Sequence, residues 1–224
     1  MNLYTLLNFA VISVPVALSF DKKVAYYRRW PAVFLSTIIV AIPFILWDIE
    51  ASLRGDWFFS EQYAGAFRVA ALPVGEILFF IFVPFSCLFL FEVMGAYIKD
   101  KPVKIPRFVT LGSAPAVLLA ALLYRDNSYT LRVLIAFALF LLLVSLTNLL
   151  QRRQFWLYMG ISMVAFLVVN TVLTALPIVE YDPDAIWGIR VITIPLEDFF
   201  YNFALLGFNA LVYVLIRERI GRYE

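Results

Sequence analysis

Two short stretches place carboxylates where they could do chemistry. Leu72-Pro73-Val74-Gly75-Glu76-Ile77-Leu78-Phe79-Phe80 and Ile194-Pro195-Leu196-Glu197-Asp198-Phe199-Phe200-Tyr201 each set an acid just after a proline. Each then continues as an apolar, aromatic-rich run of about 20 residues, enough to cross a bilayer. Proline suits the first turn of a helix, so each pattern reads as a helix start with carboxylates in that turn. A charge at mid-membrane costs ~2.5–3.5 kcal/mol even on a lenient insertion scale, and the chain repeats the expense. An acid in a first turn can simply satisfy the unbonded amides there, paired with Arg68 or Arg190. Recurrence of the pattern, with a third acid at Asp48, argues instead for a working site.

Spacing refines the candidates. Glu197 and Asp198 are adjacent, hence about 100° apart on a helix, and cannot point the same way. Asp198 shares a stripe with Tyr201 and Asn202, and Glu76 shares a face with Phe79 and Phe80. Trp47-Asp48 closes one apolar stretch, and Asn170, Thr171 and Thr174 lie late in another. Asn148, Asn202 and Asn209 read as interhelical glue. Glu92, sixteen residues after Glu76 and so about 24 Å further along, reads as an anchor near the opposite edge. Burial opposes ionisation of a first-turn acid while the helix dipole favours it, and the sequence leaves that balance open. A neutral acid to give a proton, a carboxylate to take one, and rings whose faces attract positive charge are equipment for acid–base isomerisation of an alkene.

The elements that must hold these groups are membrane helices. Hydrophobic residues make up 63% of the 224 and charged residues 15%, with a mean hydropathy of +0.89. Soluble domains are nearer half apolar and a quarter charged. Seven apolar stretches are long enough to span, at about 2–19, 32–50, 74–97, 107–124, 130–149, 155–176 and 195–216. The first has no basic run before it and no small-residue cleavage site, so it reads as a true span. Lys22, Lys23, Arg28, Arg29, Lys99, Lys101, Lys104, Arg107, Arg152, Arg153, Arg217, Arg219 and Arg222 fall on one side. Only Arg54, Arg68, Arg125, Arg132 and Arg190 fall on the other. The positive-inside rule then puts the N-terminus outside and the C-terminus in the cytoplasm.

The long non-cytoplasmic connections, about 51–73 and 177–194, resemble one another, with Arg68 and Arg190 each five residues before its proline. The expected fold is therefore an all-α bundle of about seven transmembrane helices. Residues 1–98 and 129–224 read as two parallel three-helix repeats, and 99–128 as an inverter helix with its connection. Both acid patterns must then lie on one side of the membrane, where the repeats can share a site.

Composition excludes several functions. There is no histidine, which removes histidine-ligated haem and the usual zinc sites. Cys87 is the only cysteine and reads as a small buried hydrophobe. A net charge of +2 points to no nucleic-acid partner, and no GxGxxG or P-loop pattern marks a nucleotide site. No metal, flavin or nicotinamide cofactor is expected. Trp30, Trp57, Trp156 and Trp187 read as an interfacial belt.

The paired proline–acid motifs, Trp47-Asp48 before the first, Ser19-Phe20-Asp21-Lys22-Lys23, and the run Ile194–Tyr201 resemble the lycopene cyclases of the heterodimeric bacterial type and their single-chain fusions. They also resemble the cyclase domain of fungal bifunctional lycopene cyclase/phytoene synthases. The resemblance covers essentially the whole chain. It implies conversion of the linear ψ-ends of lycopene to β-ionone rings, giving γ-carotene and β-carotene without redox change. The implied setting is a bacterial inner membrane, with carotenoid and lipid as partners and contact with other carotenoid-pathway enzymes. It carries catalytic roles onto Glu76, Glu197 and Asp198. Gly75 departs from the pattern, which has an acid there, so Glu76 and Asp198 are favoured as indispensable. Asp48 joins them as a candidate acid, with Phe79, Phe80, Tyr201, Trp47, Asn170, Arg68 and Arg190 as candidate substrate contacts. A carotenoid hydratase would share the first protonation step. A seven-helix small-molecule transporter would share the architecture but needs a polar path through both halves. A retinal photoreceptor needs a lysine in its last helix, and this chain has none there.

Overall fold

The computed structural model describes residues 2–99 and 101–220. Arg222, counted above among the cytoplasmic cations, lies outside them. Seven long helices correspond to the seven apolar stretches: α1 (Leu3–Leu18), α2 (Trp30–Arg54), α4 (Val74–Tyr97), α5 (Arg107–Leu123), α6 (Ser128–Ser145), α7 (Arg153–Ala175) and α8 (Leu196–Ile220). A single turn, α3 (Glu61–Ala64), lies between α2 and α4. Among the described residues five helices, α2, α4, α6, α7 and α8, are long and apolar enough to cross a membrane; α1 and α5 are shorter apolar helices.

The acid-bearing helices α4 and α8 form the centre. Helix α4 is packed by α1, α2 and α7, and α8 by α2, α6 and α7, while α5 lies outside against α6. At the end away from the acids the core is a dense aromatic layer that includes Phe85, Phe91, Tyr158 and Tyr213. The hydroxyls of Tyr26 and Tyr158 donate to the carbonyls of Phe85 (2.7 Å) and Leu206 (3.1 Å), which ties the layer to the backbone. Glu92 is buried here and paired with Arg217 at 2.5 Å and Arg29 at 3.8 Å, so it anchors by ion pairing within the bundle.

The connections 55–73 and 176–195 prove to be ordered by short β pairs. Strand β1 (Trp57–Phe59) runs antiparallel to β4 (Val179–Tyr181), with Phe58 opposite Glu180 at the middle. Strands β2 (Arg68–Val69) and β3 (Leu72–Pro73) form one hairpin, and β5 (Arg190–Val191) and β6 (Ile194–Pro195) another in the same register, arginine opposite proline. Their two-residue turns need left-handed backbone, supplied by Ala70 and Ala71 in the first and Ile192 in the second. Alternating short strands escape a hydropathy reading dominated by helices, because two or three residues carry no period.

Candidate active site

Each hairpin runs directly into a helix, and this fixes where the acids go. Pro73 and Pro195 end β3 and β6, and the next residue opens α4 or α8, so Glu76 and Asp198 fall in first turns at the same end of the bundle. The last turns of α2 bring Asp48 to that end, and α7 brings Asn170. Asp48, Glu76 and Asp198 line one pocket of about 70 Å³ with Tyr4, Tyr129 and Tyr181. Glu76 lies close enough to both aspartates to interact with each electrostatically.

The three acids are held differently. Asp198 accepts from Tyr129 Oη at 2.7 Å on Oδ1, and from Asn170 Nδ2 and Tyr181 Oη at 2.8 Å on Oδ2. Burial, with the Asp198 charge beside it, pushes the Tyr181 phenol well above its ordinary range, so it remains a donor. Glu76 accepts from Tyr4 Oη. Asp48 accepts from Trp57 Nε1 at 2.8 Å on Oδ1, and its buried Oδ2 has no partner. Among the described residues no lysine or arginine pairs with any of them.

Two asparagine-anchored helix starts aim the tyrosines. Asn2 caps α1 by accepting from Thr5 N and donates to Ala64 O at 2.7 Å. Asn127 precedes α6 and donates to the carbonyls of Asp184 and Ile186 at 3.0 Å. Tyr4 and Tyr129 follow two residues later in each case. Gly75 makes room for the first: a Cβ there would stand 2.7 Å from Tyr4 Cγ and Cδ1. The departure from the acid motif at Gly75 thus admits the ring that carries the Glu76 hydrogen bond.

Aromatic rings crowd the carboxyls. Trp57 meets Tyr129 at 5.0 Å edge-on, Tyr129 stacks on Tyr181 at 5.8 Å, and Trp47 and Phe44 flank Tyr201 at 5.0 and 5.3 Å. The pocket shares Phe79, Phe166, Asn170 and Asn202 with a second, almost wholly apolar cleft of about 270 Å³.

Of the candidates from the sequence, Asp48, Glu76, Asp198, Phe79, Tyr201 and Asn170 meet at this pocket. Glu197 is fully buried but turned away, accepting from Thr130 Oγ1 and the Trp187 N–H. Phe80 is fully buried among Val40, Phe44 and Leu205 and does not line the pocket. Trp47 stands behind Tyr201 in the second layer of rings. Neither arginine reaches an acid. Arg68 bonds the carbonyls of Gly65 and Phe59, and Arg190 bonds Thr193 O at 2.8 Å and lies over the Tyr181 ring. Trp57, expected in an interfacial belt, is instead 5% exposed and holds Asp48. Asn202, expected as glue, does bond across helices, to Met163 Sδ of α7 at 3.8 Å, and it also lines the pocket.

Tyr4, Tyr129 and Tyr181 were missed because tyrosine is common in apolar helices and marks nothing alone. A signal existed for two of them: Asn-x-Tyr-Thr-Leu occurs at 2–6 and again at 127–131. The sequence model of the family described as lycopene cyclase matches residues 1–94 and 126–216. No curated protein and no solved structure matches the chain.

Proposed function

Because this chain belongs to the lycopene cyclase family, we propose that it closes the linear ψ-ends of lycopene into β-ionone rings, giving γ-carotene and then β-carotene, within the membrane. One observation carries the reading. Three carboxyls without a cationic partner line a pocket walled by aromatic rings and joined to an apolar cleft. Such a pocket can move a proton and shelter a carbocation while offering little water to capture it.

The reaction starts with transfer of a proton from a carboxylic acid to the terminal C=C, leaving a tertiary cation. The π electrons of the neighbouring internal double bond form the ring C–C bond, and the charge moves onto the ring. A carboxylate then removes an adjacent ring proton, and that C–H pair becomes the endocyclic double bond. One proton enters and one leaves, so the product is an isomer and no oxidant is consumed.

The bonding patterns support distinct roles. Asp198, with three donors upon it, is bonded as a carboxylate is, and serves as the base. Asp48 keeps a buried oxygen without a partner, which costs less on a neutral carboxyl than on a carboxylate, and serves as the acid; Glu197 keeps one too but does not line the pocket. Glu76, which interacts with both, returns the proton from base to acid. Tyr129, Tyr181 and Tyr201 present their rings to the cation.

The same proposal takes the chain as two parallel three-helix repeats, 1–98 and 129–224, with α5 as inverter and seven spans in all. The matching hairpin registers and the antiparallel β1–β4 pair centred on Phe58 and Glu180 support it, since two equivalent strands meet that way across a local two-fold axis. The lysine and arginine distribution then sets the acid pocket near the non-cytoplasmic face. Expression of the chain in a lycopene-accumulating bacterium should yield β-carotene, with γ-carotene as intermediate. Recovery of only hydroxylated or unchanged lycopene would refute the assignment. Asp48→Asn, Glu76→Gln and Asp198→Asn should each abolish turnover while the folded yield is kept.

A further inference from the structure

We propose that the apolar cleft between α1, α4 and α7 is the seat of the substrate's polyene chain, and that this chain enters sideways from the bilayer between α1 and α7. The proposal deepens the cyclase reading and rests on it for the identity of the occupant.

Geometry comes first. Helix α4 forms the floor through Val83, Cys87 and Leu90, α1 one wall through Val14, and α7 the other through Ala165 and Val169. Both wall helices pack on α4, while α1 and α7 meet only weakly, sharing one cluster at the acid end through Tyr4, Leu7, Val169 and Leu173. The slot between them is open on the bundle's outer surface, where the wall residues Val14, 59% exposed, and Ala165 face outward. Helix α7 is also the least enclosed of the five helices long enough to span, with 28% of its apolar window buried.

Continuity names the occupant. The cleft meets the acid pocket at Phe79, Phe166, Asn170 and Asn202, so a ligand lying in it delivers one end to the carboxyls. From Phe79 to Leu90 the floor runs about 16 Å at 1.5 Å per residue, roughly half the bilayer's hydrocarbon thickness. The pocket alone, at about 70 Å³, takes no more than a terminal unit, while the cleft adds about 270 Å³. Few polar groups stand in the cleft wall: Ser86 donates its hydroxyl to the carbonyls of Val11 and Phe82, and the Ser162 hydroxyl is buried without a partner. An unbranched run of polar ligand would find almost nothing to bond. A long, unsaturated hydrocarbon with one reactive end fits both volumes.

The seam between α6 and α8 has a hollow of about 240 Å³ only at its far end, a polar one lined by Arg152 and Glu218, and nearer the acids it is closed. Phe137 and Phe140 fill it against Phe200, Phe203 and Phe208, with Phe140 seated on Gly207. One slot leads to one acid pocket, so the two ends of a symmetric substrate must be presented in turn.

The test uses the full chain carrying Glu76→Gln, purified in detergent from a lycopene-accumulating host, with bound pigment read by absorbance per protein. Near-stoichiometric lycopene is expected. Adding Ala165→Trp, or Val14→Trp from the opposite wall, should lower it by about tenfold, because the indole occupies the slot. Leu143→Trp, on the exposed face of α6, should leave it unchanged. Both slot positions border open space, so at least one variant should elute as folded protein. Retention of pigment in both slot variants, with the wild type still cyclising, overturns the slot and leaves the cyclase reading standing. Slot-dependent retention without cyclisation by the wild type keeps the slot and refutes the reaction. No pigment in Glu76→Gln and no cyclisation refutes both.

Discussion

Gly75→Ala should disable the site without touching a carboxyl. The added Cβ would lie 2.7 Å from Tyr4 Cγ and Cδ1 and 3.1 Å from its Cβ, against an optimum of about 3.5–4.0 Å between carbons. Two of those atoms belong to a buried ring, which must retreat by roughly 1 Å. The Tyr4 hydroxyl sits on that ring, and a retreat of about 1 Å takes its bond to Glu76 beyond the usual O–H···O range of about 2.5–3.0 Å. A hydrogen bond to a charged or ionisable partner contributes ~1.5–3 kcal/mol, which corresponds to roughly 10- to 150-fold in rate if the bond matters in the transition state. Overpacking costs a further ~1–3 kcal/mol of stability. The assay is initial turnover of lycopene by folded protein, separated by chromatography, across a cycle of Gly75→Ala, Tyr4→Phe and the pair. Tyr4→Phe should show a similar fall in rate, and the double variant little more than either alone, since both remove one bond. Wild-type turnover in Gly75→Ala, or fully additive losses, would refute the reasoning. Gly75→Glu, which restores the family's acid, should be worse than alanine for the same steric reason.

Three further outcomes follow from particular contacts. Glu197→Ala should lower stability by about 2–3 kcal/mol, by leaving Thr130 Oγ1 and the Trp187 N–H without their acceptor. Its turnover per folded molecule should stay within a few-fold of wild type, and loss comparable to Asp198→Asn would place Glu197 in the chemistry. Ile192→Asn should stabilise the fold by roughly 1 kcal/mol, because a β-branched residue at φ 61° is strained and its side chain is 72% exposed; thermal melts check this, and a fall in melting temperature counts against it. A time course at low enzyme should show γ-carotene rising and then decaying before β-carotene dominates, since one slot serves one pocket. Simultaneous appearance of the bicyclic product from the first turnover would contradict that order.

Much of this protein is legible along the chain because its information there is local. Hydropathy places the long helices, and a proline followed by an acid marks where α4 and α8 begin. The 100° step between neighbours on a helix already requires Glu197 and Asp198 to part company. Which of them faces the pocket depends on how α8 is rotated against α2, α6 and α7, and no window of sequence contains that angle. Likewise Trp57 looks like a belt residue from its position after a span, until the β1–β4 pair turns it inward onto Asp48. The donors to Glu76 and Asp198 stand far from them in sequence, Tyr4 and Tyr129 on helices that begin elsewhere. Their bonds depend on side-chain contacts between separate elements. So composition and spacing alone determined a membrane bundle with acids at paired helix starts. Packing decided which acids meet, which donors each one holds, and why a glycine stands where the motif has a carboxylate.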